Sequence, residues 1–281
     1  MIFDACNIAL MILMMFLFMY PLYFIIIASL SEPRAVATGQ VSLWIVDFTL
    51  APYRNVLRDT RIWTGYKNSI IYTLAGTIYN LIVMLPAAYV LSKKKLPGRS
   101  VIMWYFLITM YFSGGMIPTF LLHKRLGWLN TRWILIFSGG INVYNMVVTR
   151  TYFSTSIPED VYEAARIDGA SNFQAFIKIA LPLATPIIAV MSLYYGVAHW
   201  NDWFKAFIYV QKPAFAPLQL VLRQILIDNQ SMLSEAMLLG DEDMIVEAQK
   251  LIYMAEGMKY AVIFIASAPL LCAIPLYRSI S

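Results

Sequence analysis

Charge is what this sequence has least of. Its 21 basic and 16 acidic side chains make up 13% of 281 residues, against about 25% in a typical soluble domain. A water-facing surface for a chain of this length needs more ionisable groups, so a soluble two-domain enzyme and a disordered chain are excluded. Cysteine is scarce too. Cys6 and Cys272 are the only two, in apolar runs near opposite ends, which excludes a disulfide scaffold and reads as small buried hydrophobes. No GxxxxGK[ST] run is present, so the chain carries no phosphate-cradling loop of its own. No small-residue cleavage site follows the first apolar run, and Phe3-Asp4-Ala5 before Cys6 is a poor lipidation signal, so that run is expected to stay as a span or signal anchor. The net charge of +5 is ordinary for a membrane protein with basic cytoplasmic loops, and neither nucleic acid nor a metal is expected as a partner. Internal repeats, heptads and low-complexity tracts are missing as well.

What is abundant is apolar sequence, at 60% of residues. A membrane-crossing helix needs about 20 largely uncharged residues, because nothing in the hydrocarbon satisfies an open backbone. Six apolar runs free of Asp, Glu, Lys and Arg meet this need: 5–31, 68–92, 100–122, 133–149, 179–201 and 260–277. The expected fold is therefore an all-α polytopic membrane protein with six transmembrane helices, forming one domain over 1–281. The apolar run near 206–222 carries Lys212, Pro213 and Pro217, and reads as a re-entrant or surface segment. The tightest basic cluster is Lys93, Lys94, Lys95 and Arg99. Placing it inside puts both termini in the cytoplasm. Eight basic residues then fall in 40 inside positions and 13 in 104 outside positions, so density favours this orientation although raw count does not.

The most informative stretch lies between the fourth and fifth runs. Residues 156–182 read SIPEDVYEAARIDGASNFQAFIKIALP. Ser156 with Glu159 has capping-box spacing, Pro158 suits a first helical turn, and Glu159 with Asp160 suits the positive end of a helix dipole. Ile157, Val161, Ala164, Ala165 and Asp168 recur at helical spacing as a short, small-sided face. Gly169 stands where a left-handed stop belongs. Ser171 and Gln174 open a second helix that runs through Phe176 into Pro182. A short, small-faced helix held outside the bilayer fits a partner's groove; lying flat on the membrane surface is the plain alternative.

The string EAARIDGASNFQAFIKIALP resembles the EAA loop of bacterial ABC importer permeases, whose pattern is roughly EAAxxDGAxxxxxFxxIxLP. Glu163, Ala164, Ala165, Asp168, Gly169, Ala170, Phe176, Ile179, Leu181 and Pro182 match it. Ala198-His199-Trp200-Asn201-Asp202-Trp203, followed by Pro217-Leu218-Gln219, is similar to the MalG-type branch of carbohydrate permeases, and within it to the subgroup fed by sugar-binding lipoproteins. The likeness covers roughly residues 10–275. It implies a type I ABC importer permease fold in the bacterial cytoplasmic (inner) membrane. It also implies a second homologous permease, two ATPase subunits that carry ATP and Mg, and an extracytoplasmic sugar-binding protein, with no cofactor on this chain. Loop 156–181 would then be the cytoplasmic coupling segment, with Glu163, Ala164, Ala165, Asp168, Gly169 and Ala170 at the ATPase. The substrates would be oligosaccharides, acidic ones derived from alginate or pectin among them. The branch's usual C-terminal tail toward the ATPase interface is not in this sequence, which ends four residues after Tyr277. A permease for another small solute is the near alternative. An intramembrane serine protease is a remote one, since neither histidine lies deep in a run.

Other candidates rest on residue type alone. Asn142 and Asn145 in the fourth run, and His199, Trp200, Asn201 and Asp202 at the outer end of the fifth, could line a translocation path. Asn68 and Asn80 lie in the second run, where helix–helix hydrogen bonding is the plain role. The outer segment 202–259 ends in an acidic stretch. Asp241, Glu242, Asp243 and Glu247 there could dock a binding protein, or simply be solvated. His123 reads as a loop residue.

Overall fold

The computed structural model describes residues 2–239 and 242–278. Helices account for most of them, and no strand occurs among the described residues. In chain order the helices are α1 (Ile2–Ser29), α2 (Pro33–Ala37), α3 (Ala51–Arg58), α4 (Thr60–Ser92), α5 (Arg99–Tyr111), α6 (Met116–Arg125), α7 (Trp133–Phe137) and α8 (Val143–Thr155). Then follow α9 (Glu159–Ile167), α10 (Asn172–Ala175), a π-helical turn at Phe176–Ala180, α11 (Leu181–Leu183), α12 (Thr185–Trp200) and α13 (Trp203–Tyr209). After a 3-10 turn at Pro213–Phe215 come α14 (Leu218–Leu239) and α15 (Glu242–Arg278). Two compact units pack separately: Met1–Trp63 with Leu220–Ile274, and Thr64–Gln219 with the residues after Ile274.

Among the described residues, two unbroken helices are long and apolar enough to cross a membrane, within α1 and α4. At about 1.5 Å per residue, their 28 and 33 residues exceed the ~30 Å hydrocarbon core. Side chains such as Phe16, Leu17 and Phe18 stay exposed along α1, as a lipid-facing surface requires.

The other expected spans are less regular than single helices. The third run divides into α5 and α6, which meet at 109°. The break falls on Phe112-Ser113-Gly114-Gly115, where Gly115 has φ of +86°, a conformation that stops a right-handed helix. The fourth run divides into α7 and α8 around a non-helical stretch at 138–142, with Gly139 at φ +85°. The fifth bends by 79° between α11 and α12. Pro186 sits in the first turn of α12 and has no N–H to donate, and the Thr185 hydroxyl donates to the Pro182 carbonyl instead (2.7 Å). The sixth run lies within α15, which begins much earlier, at Glu242. The outer segment 202–259 is therefore mostly helical, not an open loop.

In the first unit, Ile27, Ala28, Ala35, Val36 and Val41 form a small core. Gly257 lets α15 approach closely: a Cβ there would come within 2.9 Å of Pro33 and 3.2 Å of Pro52. In the second unit, the core runs along α4, α8 and α12 through Met84, Ala88, Met146, Ile187 and Met191, and continues into the polar segment through Tyr89, Phe153, Tyr162 and Phe176. That continuation positions the candidate site.

Candidate functional site

The expected helix–glycine–helix segment is present. Gly169 has φ of +81°, and its amide donates to the Arg166 carbonyl while that of Ala170 donates to Ala165, closing α9. At Ser171 the capping box is complete: the Gln174 amide donates to Oγ (3.2 Å) and the Ser171 amide to Gln174 Oε1 (2.9 Å). The first capping box is not formed. Ser156 instead closes α8, its amide donating to the Tyr152 carbonyl, and Pro158 precedes α9 without a side-chain cap. Proline there holds an extended conformation, which separates the two helices.

The faces of α9 also differ from expectation. Tyr162 is buried, only 5% exposed, and Ala165 and Ile157 are buried with it. Ala165 thus packs inside this chain and is not available to a partner. The outward side carries Glu159, Asp160, Glu163, Ala164 and Ile167, and Ile167 is 86% exposed. Phe173 just beyond the turn is 73% exposed. Asp168 is the closing residue of α9 and is exposed, and Ala170 is half-buried. Glu163 pairs with Lys95 at 3.7 Å, with both side chains largely in solvent, so the pair contributes little. Two apolar side chains, Ile167 and Phe173, thus stand exposed on the same segment as the exposed Glu163 carboxylate.

Behind this surface, Tyr89 at the end of α4 is the hub. Its ring lies 5.7 Å from Phe153 of α8, 5.9 Å from Tyr162 of α9 and 4.9 Å from Phe176 of the π-helical turn. Through Tyr162 the helix α9 is thus packed against the end of α4, and through Tyr89 the same aromatic cluster reaches α8 and the π-helical turn. Lys93 lies over the Tyr162 ring at 2.8 Å from the centroid and near Tyr89 at 4.9 Å. Burial pulls its pKa below the ordinary lysine value, partly offset by the Glu159 charge. Burial likewise pushes the Tyr162 phenol up, and its hydroxyl has no hydrogen-bond partner among the described residues. Tyr89, Tyr162 and Ile167 were not singled out from sequence, and Lys93 only as one of a basic cluster. The signal that could have found Tyr162 is its place three residues before Ala165 and five after Ile157, on the buried side.

The path candidates assemble only in part. Asn142 is not on a common helix face with Asn145: it is the N-cap of α8, its Oδ1 accepting from the Asn145 amide at 3.1 Å. Its own amide donates to the Tyr195 hydroxyl (3.3 Å). The unwound stretch at 138–142 is held by side chains of other elements. Asn80 Nδ2 donates to the carbonyls of Gly139 (3.1 Å) and Gly140 (2.8 Å), and Lys205 Nζ reaches that of Ser138 at 3.5 Å. Since the Asn80 amide nitrogen is committed to carbonyls, Oδ1 is the acceptor for His199 Nε2 at 2.7 Å. Gly76 leaves room for the His199 ring, which a Cβ would overlap. His199 thus belongs to a polar clamp on the broken helix, together with Asn80. Trp200 is buried edge-to-face on Tyr66 at 5.7 Å, Asn201 is exposed, and Asp202 caps α13 and pairs with Lys205 at 2.7 Å. Asn68 donates to the Ala214 and Ala216 carbonyls. His123, read as a loop residue, is instead buried near the end of α6 against Trp128 and Tyr209.

Of the outer acids, Glu242 and Asp243 occupy the first turn of α15 and Glu247 the next; all three are exposed. Asp241 lies outside the described residues.

Residues 62–279 match the family described as the binding-protein-dependent transport system inner membrane component. The chain belongs to this family. As such a component it is a membrane-embedded permease subunit of an ABC importer, with the type I permease fold. It is 35% identical over 274 residues to protein LplC of Bacillus subtilis (strain 168), covering 98% of this chain and 90% of that one. It is 33% identical over 274 residues to the polygalacturonan/rhamnogalacturonan transport system permease protein YtcP of the same organism, covering 98% and 93%. Among solved structures, a bacterial ABC transporter involved in import of the acidic polysaccharide alginate superposes with a TM-score of 0.84 at 33% identity, covering 99% of this permease and 96% of that chain.

Proposed function

We propose that this permease forms half of the translocation pathway of an importer for oligosaccharides of acidic plant or algal polysaccharides, alginate- or pectin-derived. The observation that carries this reading is the end-to-end likeness to a permease of the alginate importer, at an identity high enough to extend beyond fold. The polygalacturonan/rhamnogalacturonan relative supports the same substrate class. The second permease, the two ATPase subunits with their ATP and Mg, and the extracytoplasmic binding protein complete the assembly in this reading. Loop 156–181 faces the cytoplasm in it.

Coupling is assigned to the outward face of α9 and the turn after it. Glu163 leaves its weak, exposed pairing with Lys95 for a cation on the ATPase. Ala164 permits close approach, Ile167 fills an apolar pocket, and Asp168, Gly169 and Ala170 hold the stop. ATPase closure then acts on Tyr89, and through it on α4, α8 and the bent fifth span. A partner can shift a two-state permease only by differential contact free energy, and this surface is where such contacts can form. The polar clamp around 138–142, with Asn142, Asn145 and His199, lies at an unwound stretch, the backbone geometry that membrane transporters tolerate only against protein or a water-filled path.

The test is sugar-stimulated ATPase activity in vesicles holding the full transporter and its binding protein. Oligogalacturonates or oligoalginates should stimulate and neutral maltodextrins should not. Stimulation by maltodextrins alone would reject the acidic-sugar assignment.

A further inference from the structure

Beneath the coupling helix lies a cavity of about 300 Å3. Lys93, Lys95 and Arg166 line it with Glu159, Lys95 being paired with Glu163 outside it, and Leu96 and Pro97 form an apolar rim. Neither Lys93 nor Arg166 has a carboxylate within ion-pair distance among the described residues. Lys93 is instead held over the ring of Tyr162, whose buried hydroxyl has no partner among the described residues. Helix-end duty at Leu91 does not account for these cations, because its carbonyl already accepts from Arg99 and Arg150, at 2.8 and 3.1 Å. A partly buried cation with no carboxylate beside it is costly to keep, and burial lowers the Lys93 pKa accordingly; Arg166 stands exposed at the mouth of the cavity.

We infer that this cavity is a binding site for a phosphate group, with an anionic phospholipid headgroup as its chief occupant. The inference rests on the reading that loop 156–181 is cytoplasmic. The cavity opens where α4 ends, which on that reading is headgroup level, and basic pockets at the cytoplasmic face bind anionic headgroups. Three cationic donors match the phosphate oxygens, and the apolar rim matches the glycerol end of a lipid. Occupation would neutralise Lys93 and Arg166 and stiffen the root of α9. Docking that draws Glu163 onto the ATPase would release Lys95 to the same phosphate, so lipid and ATPase would reinforce each other.

The experiment uses the complete transporter in nanodiscs of phosphatidylglycerol and phosphatidylcholine, with bound lipid counted by native mass spectrometry. Lys93→Gln with Arg166→Gln should weaken retention of one phosphatidylglycerol by roughly tenfold or more, the loss of two surface charge contacts. The charge-keeping pair Lys93→Arg with Arg166→Lys should restore it, which separates the site from a folding defect. A parallel arm titrates inorganic phosphate into lipid-depleted transporter. A rise in melting midpoint that the Gln pair abolishes, with lipid retention unchanged, supports the phosphate site and identifies free phosphate as its source. Identical lipid retention and identical phosphate response in wild type and Gln pair would overturn the site. ATPase pull-down keeps the two readings apart: Glu163→Ala should lose ATPase but keep lipid. If it keeps ATPase while the Gln pair loses lipid, the coupling reading falls and the site stands.

Discussion

Helix α9, the proposed coupling helix, and the start of α15 both carry exposed charge, yet they are anchored differently. On α9 the charged face backs onto Tyr162, which reaches Tyr89, Phe153 and Phe176. On α15, Glu242, Asp243 and Glu247 are exposed, and the buried residue next to them in the helix, Ala248, is small. Farther along, Glu256 pairs with Lys259 one turn away, at 3.5 Å. A surface that must transmit force needs large side chains interlocked beneath it. A surface that only steers a partner needs charge and no such root.

Breaking the root should have the largest effect. Tyr89→Ala removes the hub and should cost about 3–5 kcal/mol of local packing, with sugar-stimulated ATPase lost even where the ATPase still binds. Tyr89→Phe, which keeps the ring, should be near wild type in both readouts. Next is Gly169→Val. Nothing lies within 4 Å of a Cβ there, so the effect is backbone strain alone, about 1–3 kcal/mol, and it displaces the whole docking face. Transport in vesicles should fall further than for Glu163→Ala, while Gly169→Asn, which tolerates positive φ, should retain most activity.

Glu163→Ala tests the surface without the root. Its pairing with Lys95 is solvent-exposed, so stability should hold. ATPase recruitment should weaken by about 2 kcal/mol, the low end for truncating one side of a desolvated pair. Reversing Glu242, Asp243 and Glu247 to Lys should change the association rate of the binding protein and flatten its salt dependence, leaving basal ATPase activity untouched. Rapid-mixing kinetics at two ionic strengths reads this directly. Gln174→Ala, which removes half of a capping box, should cost about 1 kcal/mol or less and leave coupling intact.

The helical periods, the stop at Gly169 and the Ser171 cap were legible because each is local. The breaks in the third and fourth spans were less so. Ser113-Gly114-Gly115 and Ser138-Gly139-Gly140 mark them, but glycine inside an apolar run is common in membrane helices. What opens the helix at 138–142 is the set of replacement donors, Asn80 and Lys205, which are remote in sequence. The same distance hid Tyr89 from Tyr162. Ala165 was misplaced because a small residue is compatible with either face, and only the aromatic packing decides which.

Cysteine cross-linking across the coupling helix tests the assignment most directly. With Cys6 and Cys272 replaced, Ala164→Cys and Ile167→Cys stand on the exposed face and Ala165→Cys on the buried one. In the assembled transporter, the first two should cross-link to the ATPase with a short bifunctional reagent, more strongly when nucleotide closes it, and Ala165→Cys should not. Cross-linking of Ala165→Cys at the same yield, or none from Ile167→Cys and Ala164→Cys, would contradict the docking of α9 on the ATPase.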